Sequence, residues 1–273
     1  MPWFPDFVGA VELARRQTRP EGDADPVGVY LDALNNGNVR ALRNSWPGEV
    51  VVYDPHAGEV RGHRQLRQFV HRNQVWLAQR QAHIEKLATT CVNGRAVVEL
   101  LAHLTEDGRE TAWPVAVVAE SPDDRSVVFR TYCSQLPVDR RRPIRSPILS
   151  PIDTQPGDVV GSYLDALHAG DTDAVVGTFT TDGYVRESIA GHLHRGAHEL
   201  RAYFDRCFSG GGGVGLQPCA ITDDGTRCVL EYNCVTWGGR PVAPQAGLGV
   251  YERSPDGLLS AARAYDDVDV SER

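Results

Sequence analysis

The chain has 273 residues, enough for two domains that each bury a core of their own. Hydrophobic residues make up 41% and charged residues 23%, a soluble globular balance, and no apolar run reaches the roughly 20 residues that span a bilayer, so no membrane partner is expected. The net charge of -8 argues against polyanions, so no nucleic-acid partner is expected, and the one basic cluster, Asp139 to Arg145, reads as solvated linker. The first residues lack a basic stretch followed by a continuous apolar one, so no secretory signal is read there and a cytoplasmic location is expected. Six scattered cysteines with no CxxC pair indicate reduced, buried thiols rather than a disulfide framework or a zinc cluster.

In chain order the first signal is VGVYLDALNNGN at Val27, which returns as VGSYLDALHAGD at Val160. The register then holds: Trp46 answers Phe179, Asp54 answers Glu187, and RGHRQLRQF around Gly62 answers RGAHELRAYF around Gly196 with one residue inserted. A fixed long period marks a duplicated unit. Expected boundaries are an N-terminal segment 1–24, a first domain 25–138, a proline- and arginine-rich linker 139–156 and a second domain 157–273.

Each unit opens with a helix, shown by Val27, Tyr30, Leu31 and Leu34 on one face and stopped by Gly37 or, in the second unit, Gly170. A short helix capped by Asn38 or Asp171 follows. Next come a strand (EVVVYDP; GYVRES), a turn and a longer helix (HRQLRQFVHR; AHELRAYFDRCF). Three alternating strands close each unit: RAVVELLAHL, TAWPVAVVAE and SVVFRTYC in the first, CVLEYNCVTW, QAGLGVYE and LLSAARAY in the second. Helices followed by a strand meander predict an α+β fold, a curved antiparallel or mixed sheet covered on one face by about three helices and shaped as a cone.

This order of YLDALNNGN helix, strand ending in an acid, RG plus helix and three long strands resembles the nuclear transport factor 2-like superfamily. That group includes ketosteroid isomerases, SnoaL-type polyketide cyclases and small epoxide hydrolases. The resemblance implies two tandem cones packed as an internal pseudo-dimer, with further homo-oligomerisation left open. It also implies an oxyanion-hole tyrosine, matched by Tyr30 and Tyr163, and a general base after the first strand, matched by Asp54 and Glu187. The isomerases' third acid falls near Ala116 or Val117 and near Leu248 or Gly249, so it is missing from both units.

Carboxylates in an apolar cavity shuttle protons near neutrality, because burial disfavours their charged form, and a tyrosine hydroxyl steadies a developing oxyanion. Alternation in EYNCVTW puts Glu231 and Asn233 on one strand face, and the resemblance, with the following GR turn aligned to that of the isomerases, implies that this face points inward, towards Glu187 and Tyr163. In the first unit Glu99, Leu101 and His103 alternate, bringing His103 or His56 towards Asp54. The tract of His192, His194 and His198 has no accompanying acidic or cysteine ligand, so no metal and no cofactor are expected. SGGGGVGL at Ser209 lacks GK[ST] and reads as a flexible rim. The expected function is cofactor-independent acid/base chemistry on a hydrophobic, oxygenated small molecule: isomerisation, cyclisation or epoxide opening. The alternative is a non-catalytic module that binds a small molecule or a protein.

Overall fold

A computed structural model of the chain describes residues 26–92, 94–106, 108–135, 138, 145–188 and 191–266. The expected N-terminal segment 1–24 and most of the basic cluster, residues 139–144, lie outside them. The chain divides into two compact units at Cys133 and Ser134.

The first unit runs α1 (Pro26–Asn36), α2 (Val39–Ser45), β1 (Val50–Asp54), β2 (Gly58–Arg61), α3 (Gly62–Gln79), β3 (His83–Val92), β4 (Arg95–Glu106), β5 (Arg109–Glu120) and β6 (Val127–Cys133). Its sheet has the order β2-β1-β6-β5-β4-β3, with β1 and β6 parallel and the other neighbours antiparallel. As expected, Asn38 caps α2 by accepting a hydrogen bond from the Ala41 N–H. Leu66, Phe69 and Val70 recur at helical spacing and bury one face of α3. They share a core with the alternate residues Ala96, Val98 and Leu100 of β4 and with Val52 and Phe129.

The second unit repeats the plan: α4 (Val159–Ala169), α5 (Thr172–Gly177), β7 (Phe179–Arg186), β8 (Leu193–Arg195), α6 (Gly196–Cys207), β9 (Gly215–Asp223), β10 (Arg227–Trp237), β11 (Arg240–Arg253) and β12 (Leu259–Tyr265). Its sheet order is β8-β7-β12-β11-β10-β9, with β7 and β12 parallel. Each sheet has six strands, more than the sequence pattern announced. The unannounced long strands, β3 and β9, are sheet edges: β3 lacks a clean apolar face, and β9 contains Pro218, which an edge strand tolerates. The described part of the expected linker belongs to the second unit. It runs along that sheet, with Ala246 donating its N–H to the Arg145 carbonyl and Ile152 donating to that of Pro218.

Arg253, at the end of β11, fixes α4 to the sheet. It bonds Asp158, whose other oxygen caps α4 at the Val160 N–H, and it grips both oxygens of Asp223 at 2.9 and 2.7 Å. Burial opposes ionisation of Asp223, yet the hydrogen bonds and charge of Arg253 outweigh it and hold this carboxyl below its ordinary range. We expect Arg253→Met to lower the unfolding free energy by about 1–3 kcal/mol in urea titrations. The Asp223 carboxyl titrates lower folded than unfolded, so its contribution is complete above the ordinary value of 3.8 and is lost as acid drives the pH below it. The variant's stability should therefore fall less steeply than the wild type's over that acid range.

Candidate functional site

On β11 two alternate positions on the helix-covered face carry no side chain. A Cβ at Gly247 would meet the Tyr232 ring at 2.4 Å, and one at Gly249 would meet the Tyr251 hydroxyl at 2.7 Å. The two tyrosines therefore lie against the backbone of their own sheet, and beside them β12 offers only Ala262 and Ala264 on this face. Space remains above them. It forms a cavity of about 500 Å³, walled by Leu167 of α4, Val185 of β7, Phe204 of α6 and Trp237 of β10. This size suits an organic molecule of several rings.

Two carboxylates line this cavity. Glu187 follows β7 and is hydrogen-bonded to His194 Nε2 on β8, whose imidazole stacks on Tyr203 of α6 with ring centres 4.7 Å apart. Asp266 follows β12 and accepts a 2.5 Å hydrogen bond from the Tyr232 hydroxyl and a 3.3 Å one from Ser188. Tyr163 of α4 stands edge-on to Phe179 and 5.3 Å from the Tyr251 ring. Burial is the first cause that pushes the Tyr163, Tyr203, Tyr232 and Tyr251 hydroxyls up from their ordinary range, and the charge of Asp266 adds to it in all four. All four therefore stay protonated near neutrality, and Tyr232 donates to Asp266. Burial also pushes the Cys207 thiol up to about 11, so this lining residue is no thiolate near neutrality. Among the described residues no group of three His, Cys, Asp or Glu side chains is placed to hold a metal ion.

The SnoaL-like domain model matches the chain twice, over residues 27–129 and 160–261. The chain belongs to the SnoaL-like family. Among solved structures it is similar to an NTF2-like protein of unknown function from Cytophaga hutchinsonii, at 15% identity over 42% of this chain and 93% of that one, with a TM-score of 0.33. A protein with a ketosteroid isomerase-like fold from Catenulispora acidiphila, solved with trimethylamine, matches at 17% identity over 42% and 88% of the two chains, TM-score 0.35. A SnoaL-like protein of unknown function from Burkholderia thailandensis matches at 19% identity over 38% and 87%, TM-score 0.31. None of the curated proteins matches the chain.

In this SnoaL-like chain the expected site residues part company. Tyr163 and Glu187 line the cavity of the second domain. Glu231 and Asn233 do not. They are 2% and 3% exposed on the opposite sheet face, where Asn233 donates to the Leu149 carbonyl. The cause is an irregularity between Cys234 and Thr236 in both pairings of β10, so counting back from the GR turn reverses every face. In the first domain Asp54 begins a turn, accepting hydrogen bonds from the His56 and Ala57 N–H groups at 2.9 and 2.8 Å. Its charge still reaches Tyr30, whose hydroxyl is pushed up first by burial and then by Asp54. His103 is separated from them: it lies on the sheet face opposite Val98 and Leu100 and pairs with Glu110 at 3.1 Å.

The glycine-rich stretch is a rim but a packed one. A Cβ on Gly213 would lie 2.1 Å from the Leu167 carbonyl oxygen, one on Gly212 2.5 Å from the Gly239 Cα, and the Val214 N–H bonds back to Leu167. Sequence reasoning missed Asp266, His194 and three of the four tyrosines. Carrying the alternation Ala262, Ala264 one step further reaches Asp266, and the alternate glycines of GLGVY marked the floor. Gly247→Ala should drive the Tyr232 ring off the sheet, break its bond to Asp266 and lower the unfolding free energy by about 1–3 kcal/mol in urea titrations.

Proposed function

We propose that the second domain catalyses proton transfer on a hydrophobic, oxygenated small molecule, in the service of isomerisation or ring closure. The observation that carries this reading is the convergence of Glu187, Asp266 and four protonated tyrosines on one largely apolar cavity. A carboxylate in such surroundings is a competent base towards a carbon acid next to a carbonyl, and the enolate oxygen that forms needs a donor already in place. Glu187 takes the proton, with His194 as its hydrogen-bonded partner. Tyr163 and Tyr251 supply hydroxyls that stay neutral and so donate. Glu187, now carrying that proton, returns it at another atom, and Asp266, an acceptor held by Tyr232 and Ser188, is a second carboxylate available to take one up.

Exchange of the α-protons of 2-tetralone in deuterated water, followed by proton NMR, tests the reading without knowledge of the natural substrate. The protein should accelerate exchange, and Glu187→Gln should reduce that acceleration by about 10²-fold to 10⁴-fold. Asp266→Asn should also reduce it. Saturable binding of 2-tetralone with exchange at the background rate would sink the catalytic reading and leave a binding module.

A further inference from the structure

Because the domains share one scaffold, equivalent register positions can be compared directly. Val185 pairs with Ala262 on one side and His194 on the other; in the first domain Val52 holds the same place, between Phe129 and Val60. Four residues beyond Ala262 stands Asp266, and four beyond Phe129 stands Cys133. Gly249, opposite Leu230, corresponds to Val117, opposite Val98. Tyr203, the eighth residue of its helix, corresponds to Phe69, the eighth of α3. Towards the first domain Ala262 becomes Phe129 and Gly249 becomes Val117, which adds bulk, His194 becomes Val60 and Tyr203 becomes Phe69, which removes a polar group, and Asp266 becomes Cys133, which removes the carboxylate. Tyr251, opposite Ala262, runs the other way and becomes Ala119, opposite Phe129.

The packing completes the comparison. The Phe129 ring stacks on Tyr30 at 4.0 Å and 12° and takes the edge of Trp46 at 5.6 Å, and all three are at most 2% exposed. Where the second domain has Ala262 lining its cavity, the first has Phe129 in a buried aromatic cluster with Tyr30 and Trp46.

We propose that the chain carries one working site, in the second domain, and that the first domain is the same cone with its site overbuilt by Phe129, Trp46 and Val117. This rests on reading the second cavity as the ligand site. The neutral fluorescent probe N-phenyl-1-naphthylamine, titrated into the whole chain, should bind at one molecule per chain and be displaced by 2-tetralone. Ala262→Phe, which installs the first domain's residue, should weaken binding at least tenfold while circular dichroism and the unfolding midpoint report a folded protein. Two probes per wild-type chain, none at all, or half the capacity surviving in Ala262→Phe would each overturn the proposal. If Ala262→Phe does not fold, the wild-type stoichiometry and the same measurement on Gly249→Val decide. Single-site binding without proton exchange defeats the catalytic reading alone. Proton exchange that persists at half its rate in folded Ala262→Phe defeats the single-site proposal alone.

Discussion

Protein interiors fill to the density of organic crystals, so an open cavity inside a small domain needs something that prevents filling. In the second domain that something is the backbone of β11 at Gly247 and Gly249. With no Cβ beneath them, Tyr232 and Tyr251 lie against the sheet instead of standing up from it. Two rigid aromatic bodies placed this way floor the cavity and keep their hydroxyls inside it, one of them bonded to Asp266. Tyr163, on the facing helix, packs edge-on against Phe179 and Phe204 and so keeps its own ring aside. The helix that carries it is held by the Arg253 clamp to Asp158 and Asp223, far along the same strand as the glycines. One strand therefore sets both floor and roof.

The chemistry follows from the same burial. Removing phenols from water raises the cost of ionising them, and a neighbouring carboxylate raises it further, so the tyrosines remain neutral donors. The acids in turn receive hydrogen bonds, from Tyr232 and Ser188 in the case of Asp266. Donors that stay neutral beside acceptors that can change charge are what an enolate-forming reaction asks of its surroundings. The resemblance to ketosteroid isomerases put the third acid's position near Leu248 or Gly249, neither of which is an acid. Asp266 enters the same space from the neighbouring strand, beyond Ala264, which pairs with Gly249.

The doubled architecture was legible in the sequence because duplication preserves spacing, and the spacing of Tyr30 and Tyr163, or Asp54 and Glu187, survives every change of side chain. Helix faces were legible for the reason that Leu66, Phe69 and Val70 are read by a period that no local accident disturbs. Strand faces were less so. A single extra residue on β10 against β9, between Cys234 and Thr236, reverses the inward and outward positions of β10, and nothing in VTWGGR announces it. That bulge is why Glu231 and Asn233 were assigned to the cavity that Tyr232 lines. His194 was visible as one of three histidines but not as a partner of Glu187, because the pairing depends on the β7–β8 register of Val185 with His194. Asp54 illustrates the opposite limit: the same sequence position provides a cavity acid in one domain and a turn former in the other, and only the packing around Tyr30 distinguishes them.

The glycine-rich connector between α6 and β9 bears on how fast a ligand comes and goes. Its backbone is seated against the last turn of α4 and the β10–β11 turn, held by the Val214 bond to Leu167 and the Gly239 bond to Gly213. A hinged flap would gate the mouth by swinging open on a microsecond to millisecond timescale. Here the glycines permit contact rather than motion, and Ser209 and Trp237 line the cavity beside them. A ligand of the proposed site would then come and go without a backbone hinge, so related ligands would arrive at similar rates and differ chiefly in how long they stay.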